Sequence, residues 1–337
     1  MFKNKSKAVN QSGEDVLEEK KYSKTQNRWA IVKKKFTPIF KLILLIELSF
    51  IIISPLFSQL CTTFIAEEDI NDTTIKYITP EPTLDNYANI IDATDYWATL
   101  VNSIVVCLIV ATLTTVSASL IGYGFAKFKF KFKAFFFAIV ILTIIIPPAT
   151  VMFPMYMKFR FFDFDILGLI KLLSGKGIVE WITGKSITLT NSMWPLVLLS
   201  ITGFGFRGGL FTFLMRQFYR GVPNELSEAA YVDGAGVYRT YFSVIYPLGK
   251  SLRVTVFLLS FSWQWTDTFY SGLFFSNSYK VMANVLQKAQ SQAALAGADY
   301  GLLVNTATML ILAPLLIIFL FGQNLMAEGI ERSGIVG

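Results

Sequence analysis

The sequence predicts an all-α integral membrane protein with six transmembrane helices, on three observations. Hydrophobic residues make up 53% of its 337 residues and charged residues 16%, where a soluble domain carries nearer ~25% charged. Six apolar stretches are each long enough to cross a hydrocarbon layer of roughly 30 Å, which takes about 20 helical residues. The segments before and between these stretches alternate between basic and acidic or mixed charge, the pattern of a chain that crosses a membrane repeatedly. Helices are required because lipid offers no partner to a bare backbone amide.

Residues 1–35 form a polar arm with ten Lys or Arg before Phe36. It is too charged to bury, so disorder or a loose helix is expected; beside anionic lipid each basic residue contributes ~1 kcal/mol. The first span is Phe36 to Ser58. A cleaved signal sequence is the alternative, but the apolar run exceeds the usual ~7–15 residues and no small-x-small cleavage site follows. Leu60 is too bulky for a lipoprotein site at Cys61. Residues 59–98 carry Glu67, Glu68, Asp69, Asp72, Glu81, Asp85, Asp92 and Asp95 against Lys76 alone, so they belong outside, positive charge being retained in the cytoplasm.

The second span, Thr99 to Ala126, begins a five-helix core over 99–323 and ends at "KFKFKFK", whose Lys127, Lys129, Lys131 and Lys133 belong inside. The third, Ala134 to Met157, contains Pro147, Pro148 and Pro154. Freed carbonyls at membrane depth must face protein or a water-filled cavity, which makes the break either part of a pathway or a simple kink. A mixed-charge loop from Lys158 to Asn191 lies outside. The fourth span is Ser192 to Met215, followed by an inner loop over 221–250. Leu252 to Phe275 and Gly301 to Gln323 complete the six, and a tail, 324–337, returns with the amino terminus to the cytoplasm.

The composition excludes several chemistries. There is no histidine, which removes a histidine base, a histidine zinc site and a histidine triad. Cys61 and Cys107 have no ligand-like spacing, so no metal site is expected. The net charge of +7 belongs to the loops and is read as topology, with no nucleic-acid partner. No phosphate loop of the form GxxxxGK[ST] occurs; "GFGFRGG", Gly203 to Gly209, lacks its lysine and suits close helix packing. A membrane enzyme would want paired carboxylates within the spans, and Glu47 stands without a neighbour to work with.

The inner loop holds the stretch "NELSEAAYVDGAG", Asn224 to Gly236. Pro223 suits a first helical turn, Glu225 favours the amino-terminal dipole end, and Gly234 is the expected left-handed stop. A helix of about three turns, Pro223 to Asp233, follows. Spacings of three and four put Leu226, Ala229 and Ala230 on one side. A second helical run, Val237 to Tyr246, is expected to be interrupted by Pro247. The first helix is either an interfacial helix on lipid or a docking element; its Glu225, Glu228 and Asp233 disfavour anionic lipid and favour a protein partner.

Here the sequence resembles a family. "EAAYVDGAGVYRTYFSVIYPL", Glu228 to Leu248, is similar to the EAA loop of binding-protein-dependent ABC importer permeases: Glu228, Ala229, Ala230, Gly234 and Pro247 match, with Val244 and Tyr246 replacing the usual Ile and Leu. The resemblance continues in order through "TLDNY" (Thr83 to Tyr87), Asn102-Ser103, "GYGFAKFKF" (Gly122 to Phe130), "IIPPATVMFPMY" (Ile145 to Tyr156), "LGL" (Leu167 to Leu169), "FLMRQFYRGVPNEL" (Phe213 to Leu226), "WTDTFY" (Trp265 to Tyr270) and "GIERSGIVG" (Gly329 to Gly337). These resemble the carbohydrate-uptake group that includes the smaller maltose permease subunit. Departures are the charged arm, extra residues between Ile170 and Thr190, Thr266 in place of Asn, and Ile335-Val336 in place of a Val-Lys pair.

The resemblance implies a type I ABC importer permease fold with a cytoplasmic coupling helix, in which Glu228, Ala229, Ala230, Asp233, Gly234, Ala235 and Pro247 engage an ATPase. It also implies a second homologous permease, two ATP-binding cassette subunits that use ATP and magnesium, an extracellular solute-binding protein, and a sugar or oligosaccharide as substrate. This chain would bind no cofactor and catalyse no reaction. A sugar presents C–H faces and hydroxyls, so its path should offer aromatic and hydrogen-bonding side chains. The candidates are Asn102, Asn191, Gln264, Trp265, Asp267 and Tyr270, each of which could equally bind helices together or mark the interface. Alternatives are an importer for glycerol phosphate, with basic residues facing the cavity, and a membrane scaffold or receptor that recruits a cytoplasmic partner.

Overall fold

The computed structural model describes residues 36–69, 77, 79–163, 182, 187–275, 279–296 and 300–334. The readings placed on the arm 1–35, on most of 170–190 and on Ile335-Val336 lie outside the described residues. Helices account for nearly all the regular structure: α1 (Phe36–Thr62), α2 (Asp85–Thr94), α3 (Tyr96–Lys127), α4 (Lys133–Ile145), α5 (Met152–Arg160), α6 (Trp194–Ile201), α7 (Gly208–Gly221), α8 (Glu225–Val232), α9 (Val237–Leu248), α10 (Lys250–Trp265), α11 (Phe269–Phe274), α12 (Val285–Ala296) and α13 (Tyr300–Gly334). Among the described residues the only extended pairing is a bridge between Phe162 and Ile187.

The chain divides into two compact units, 1–62 with 76–78 and 63–75 with 79–337. In the first, α1 runs past the predicted Ser58 to Thr62, and the Phe57 and Tyr77 rings lie 6.2 Å apart. In the second, α3 is the axis: α7 and α10 pack on it, α13 packs on α10, and α2 and α12 pack on α13. Gly122 sets the closest approach. A β-carbon there would stand 2.7 Å from Cβ of Met215 and 2.8 Å from the Arg216 backbone nitrogen, so only glycine lets α3 and α7 cross this tightly.

The six predicted spans are not all continuous helices. Among the described residues three helices are long and apolar enough to cross a membrane, α1, α3 and the Gly301–Gln323 part of α13; counting each bent pair as one span raises this to five. The third prediction breaks at Pro147 and Pro148, where α4 and the segment Pro148–Arg160 meet at 105°, because proline supplies no amide to continue the ladder. Pro154 sits in the first turn of α5 without breaking it. The fourth prediction divides into α6 and α7, separated by left-handed residues at Gly203 and Arg207. The fifth stops at Trp265, and α10 joins α9 at a bend of 78°.

Besides a buried cluster of Val106, Val110, Phe159, Leu196, Tyr270 and Phe274, two more lie along α3. One gathers Cys107, Ala111, Phe261, Trp265, Met282 and Ala307. The other gathers Tyr123, Phe211, Met215, Tyr219, Tyr241 and Ile245. Ser103 and Lys127, which mark these two ends, are separated by 24 residues of helix, about 36 Å at 1.5 Å per residue.

Candidate functional site

At the Lys127 end, the chain leaves α7, makes α8, turns, and returns through α9. Asn224, not Pro223, is the residue preceding the first helical position of α8. Its carbonyl accepts from the amides of Ser227 at 2.9 Å and Glu228 at 3.0 Å. The other end closes as a Schellman motif: Gly234 N–H donates to Tyr231 O at 3.0 Å and Ala235 N–H to Ala230 O at 2.9 Å, with Gly234 left-handed at φ +79°. The sequence-based stop at Gly234 therefore has the expected conformation.

Lys127, the last residue of α3, ties this corner down. Its ammonium donates to the Val222 carbonyl, which caps α7, at 2.5 Å, and to Asn224 Oδ1 at 2.8 Å. Beneath α8, Ser119 Oγ lies 2.6 Å from the Tyr219 hydroxyl and 2.8 Å from that of Tyr241. The Tyr123 ring packs edge-on to Tyr219 at 5.6 Å and tilted on Tyr241 at 4.7 Å. Ser119, Tyr123 and Lys127 were not predicted, yet their spacing of four in an apolar helix was the signal that could have found them: it places them on one face.

This packing corrects the expected division of α8. Ser227 and Ala230 are buried against the chain itself, so Ala230 does not share an outward face with Leu226 and Ala229. The outward residues are Glu225, Leu226, Glu228, Ala229, Tyr231, Val232 and Asp233, with Val232 88% exposed. Tyr238, 80% exposed, and Phe242 extend an apolar rim along α9. Pro247 does not interrupt the second run: it lies inside α9, after a widened π-type turn over Tyr241–Ile245. That wider turn accommodates the missing proline amide. The helix stops at Gly249 instead, and Arg253 secures the bend by donating to the Tyr246 carbonyl while lying over the Tyr246 ring.

At the opposite end of α3 the six candidates for a solute path are drawn into internal packing, with one exception. Asn102 Nδ2 donates to Lys280 O at 3.3 Å, and Ser103 Oγ accepts from Met282 N–H at 2.7 Å, so two successive α3 residues clamp the segment 280–282. Trp265, 1% exposed, donates Nε1–H to Ile311 O on α13 at 3.0 Å. Asp267 accepts from the amides of Tyr270 at 3.2 Å and Ser271 at 3.1 Å, which starts α11. Tyr270 is buried with Phe206 and Phe274. Gln264 is buried with Oε1 unpartnered, beside a void of about 10 Å³ that Ser103, Trp265 and Ser271 also line. Asn191 stands apart, exposed and left-handed, donating its backbone amide to Phe274 O at 2.8 Å.

Just outside α3, Asp95 pairs with Lys280. That hydrogen bond and charge hold the Asp95 carboxyl below its ordinary value. Among the described residues no group of three or more His, Cys, Asp or Glu could hold a metal ion.

Comparison with known proteins places this architecture. The chain is 26% identical over 314 residues to the arabinooligosaccharides transport system permease protein AraQ of Halalkalibacterium halodurans, covering 91% of this chain and all of that one. It is 24% identical over 243 residues to the sn-glycerol-3-phosphate transport system permease protein UgpE of Yersinia pestis, covering 72% of this chain and 75% of that one. The crystal structure of a bacterial ABC transporter involved in the import of the acidic polysaccharide alginate shares the fold, with a TM-score of 0.65 at 16% identity over 86% of this chain and 96% of that one. Residues 118–332, well over half of the chain, match the model of the binding-protein-dependent transport system inner membrane component. The chain belongs to that family.

Proposed function

We propose that this chain is a membrane-spanning permease of an ATP-driven ABC importer, pairing with a second permease to form the path of a sugar or oligosaccharide handed over by an extracellular binding protein. The broken helices count as spans in this reading, giving six, with both termini and α8 in the cytoplasm. Alternating access supplies the transport step: two conformations expose the path to opposite sides, and ATP bound by two partner ATPases biases one of them. The observation that carries the reading is α8 itself, a helix capped and seated by its own chain whose outward acidic and apolar face is left for a partner.

Glu228 is the charged docking contact in this scheme, Ala229 and Val232 supply apolar contact, and Lys127 passes movement of α8 to α3. Glu228→Lys should keep the chain in the membrane and abolish substrate-stimulated ATP hydrolysis by the purified complex. Normal stimulation in that variant would sink the docking role. Purification of the chain without any ATPase would sink the importer as a whole. The kinship with UgpE favours one second reading, an importer of a phosphorylated polyol, which transport assays with labelled sugars and glycerol phosphate would separate.

A further inference from the structure

A cavity of about 320 Å³ opens beside α11 and α12, near the Ser103 end of α3. Its volume is at the lower end of small-molecule sites. None of the residues singled out from the sequence lines it. Phe275 and Tyr279 form one wall, their rings stacked 4.9 Å apart. Lys280, Asn284, Gln287 and Lys288 supply polar groups. Asn284 Oδ1 is buried and has no hydrogen-bond partner, which costs free energy unless something fills the site.

The charge is unbalanced. Lys280 is paired with Asp95, whereas among the described residues Lys288 has no carboxylate within ion-pairing distance. Burial, and then the charge of Lys280, hold the Lys288 ammonium below its ordinary value, although the Asp95 carboxylate offsets part of this, so a bound anion would relieve what remains. A cation, a vacant amide acceptor and an aromatic wall match three features of one ligand class: an acidic group, a hydroxyl donor and an apolar C–H face.

We propose that this cavity is a subsite for an acidic sugar, in which Lys288 receives the carboxylate or phosphate, Asn284 accepts a hydroxyl and the Phe275–Tyr279 wall meets the ring. The assignment deepens the importer reading and rests on it for its position: the cavity lies at the end of α3 opposite α8, the side on which a binding protein would release solute. Lys280, held by Asp95, keeps the mouth in place.

The test is calorimetric titration of the full chain, with any subunits that copurify, in phosphatidylcholine nanodiscs. The probes are digalacturonate, glucose 6-phosphate, maltose and inorganic phosphate. The acidic sugars should bind at least about tenfold more tightly than maltose and inorganic phosphate; Lys288→Gln should remove that preference, and Lys288→Arg should keep it. Equal affinity for neutral and acidic sugars, no binding by any probe, or indifference to Lys288→Gln would overturn the subsite. A carboxylate occupant is indicated when digalacturonate binds more tightly, a phosphate when glucose 6-phosphate does. Loss of binding in phosphatidylglycerol discs would assign the cavity to a lipid headgroup and overturn the sugar. If the chain carries no ATPase yet discriminates acidic sugars through Lys288, the importer reading fails alone. If an ATPase-bearing complex transports sugar without regard to Lys288, the subsite fails alone.

Discussion

Lys127→Met keeps the side chain's length and apolar stem while removing its ammonium. Two bonds are lost, to Val222 O at 2.5 Å and to Asn224 Oδ1 at 2.8 Å. A hydrogen bond to a charged group contributes roughly 1.5–3 kcal/mol when buried, and an exposed charged contact about 0–1 kcal/mol. Lys127 is half-buried and Asn224 exposed, but Val222 is buried and its carbonyl loses this donor. A loss of about 1.5–2 kcal/mol for the corner follows. The assay is amide hydrogen exchange, under conditions in which the rate follows the opening equilibrium. Since 1.4 kcal/mol is tenfold, the amides of Ser227 and Glu228, both bonded to Asn224 O, should exchange about 10–30-fold faster. Amides in the middle of α3, such as those of Val110 and Ala111, should keep their rates. Unchanged exchange in α8, or equal acceleration along the whole chain, would refute the clamp.

Two further outcomes can be stated. Gly234→Val meets no neighbour within 4 Å but must hold a left-handed backbone, so it should destabilise the α8 stop by ~1–2 kcal/mol; a thermal melt indistinguishable from wild type would contradict this. Lys280 holds the Asp95 carboxyl below its ordinary value, so the folded-state pKa lies under the unfolded ~3.9. The pair therefore stabilises the fold above that value and its contribution is lost as pH falls through the folded pKa. Asp95→Asn should flatten this acid limb in unfolding measured against pH, and parallel curves for the two proteins would argue against it.

Local backbone chemistry was the legible part of the sequence. Gly234 announces a left-handed stop because few residues tolerate that conformation, and Pro147-Pro148 announces a break because no amide is there to donate. Tertiary partnership was not legible. Ala229 and Ala230 read alike in sequence, yet the fold buries Ala230 and leaves Ala229 exposed. Trp265 and Asp267 read equally as groups for a solute and as groups that hold the fold together; Ile311 and the start of α11 receive their polar atoms, partners set by the path of the chain. Hydropathy alone also missed the division between α6 and α7, since Gly203 and Arg207 interrupt the backbone without interrupting the apolar run.

The Schellman closure and inward seating of α8 have a consequence for inhibitor design. An isolated helix of 8 residues is far shorter than the ~12–15 residues that are marginal in water, so a peptide copied from Glu225–Val232 would be mostly unfolded. Within the protein the helix is already formed, and a partner gripping its outer face need not order it. A free peptide would have to supply that ordering entropy on binding, about 1–2 kcal/mol for each residue fixed. Mimics of this surface should therefore be covalently stapled between Ser227 and Ala230, the two positions the intact chain keeps for itself, leaving Glu228 and Val232 free.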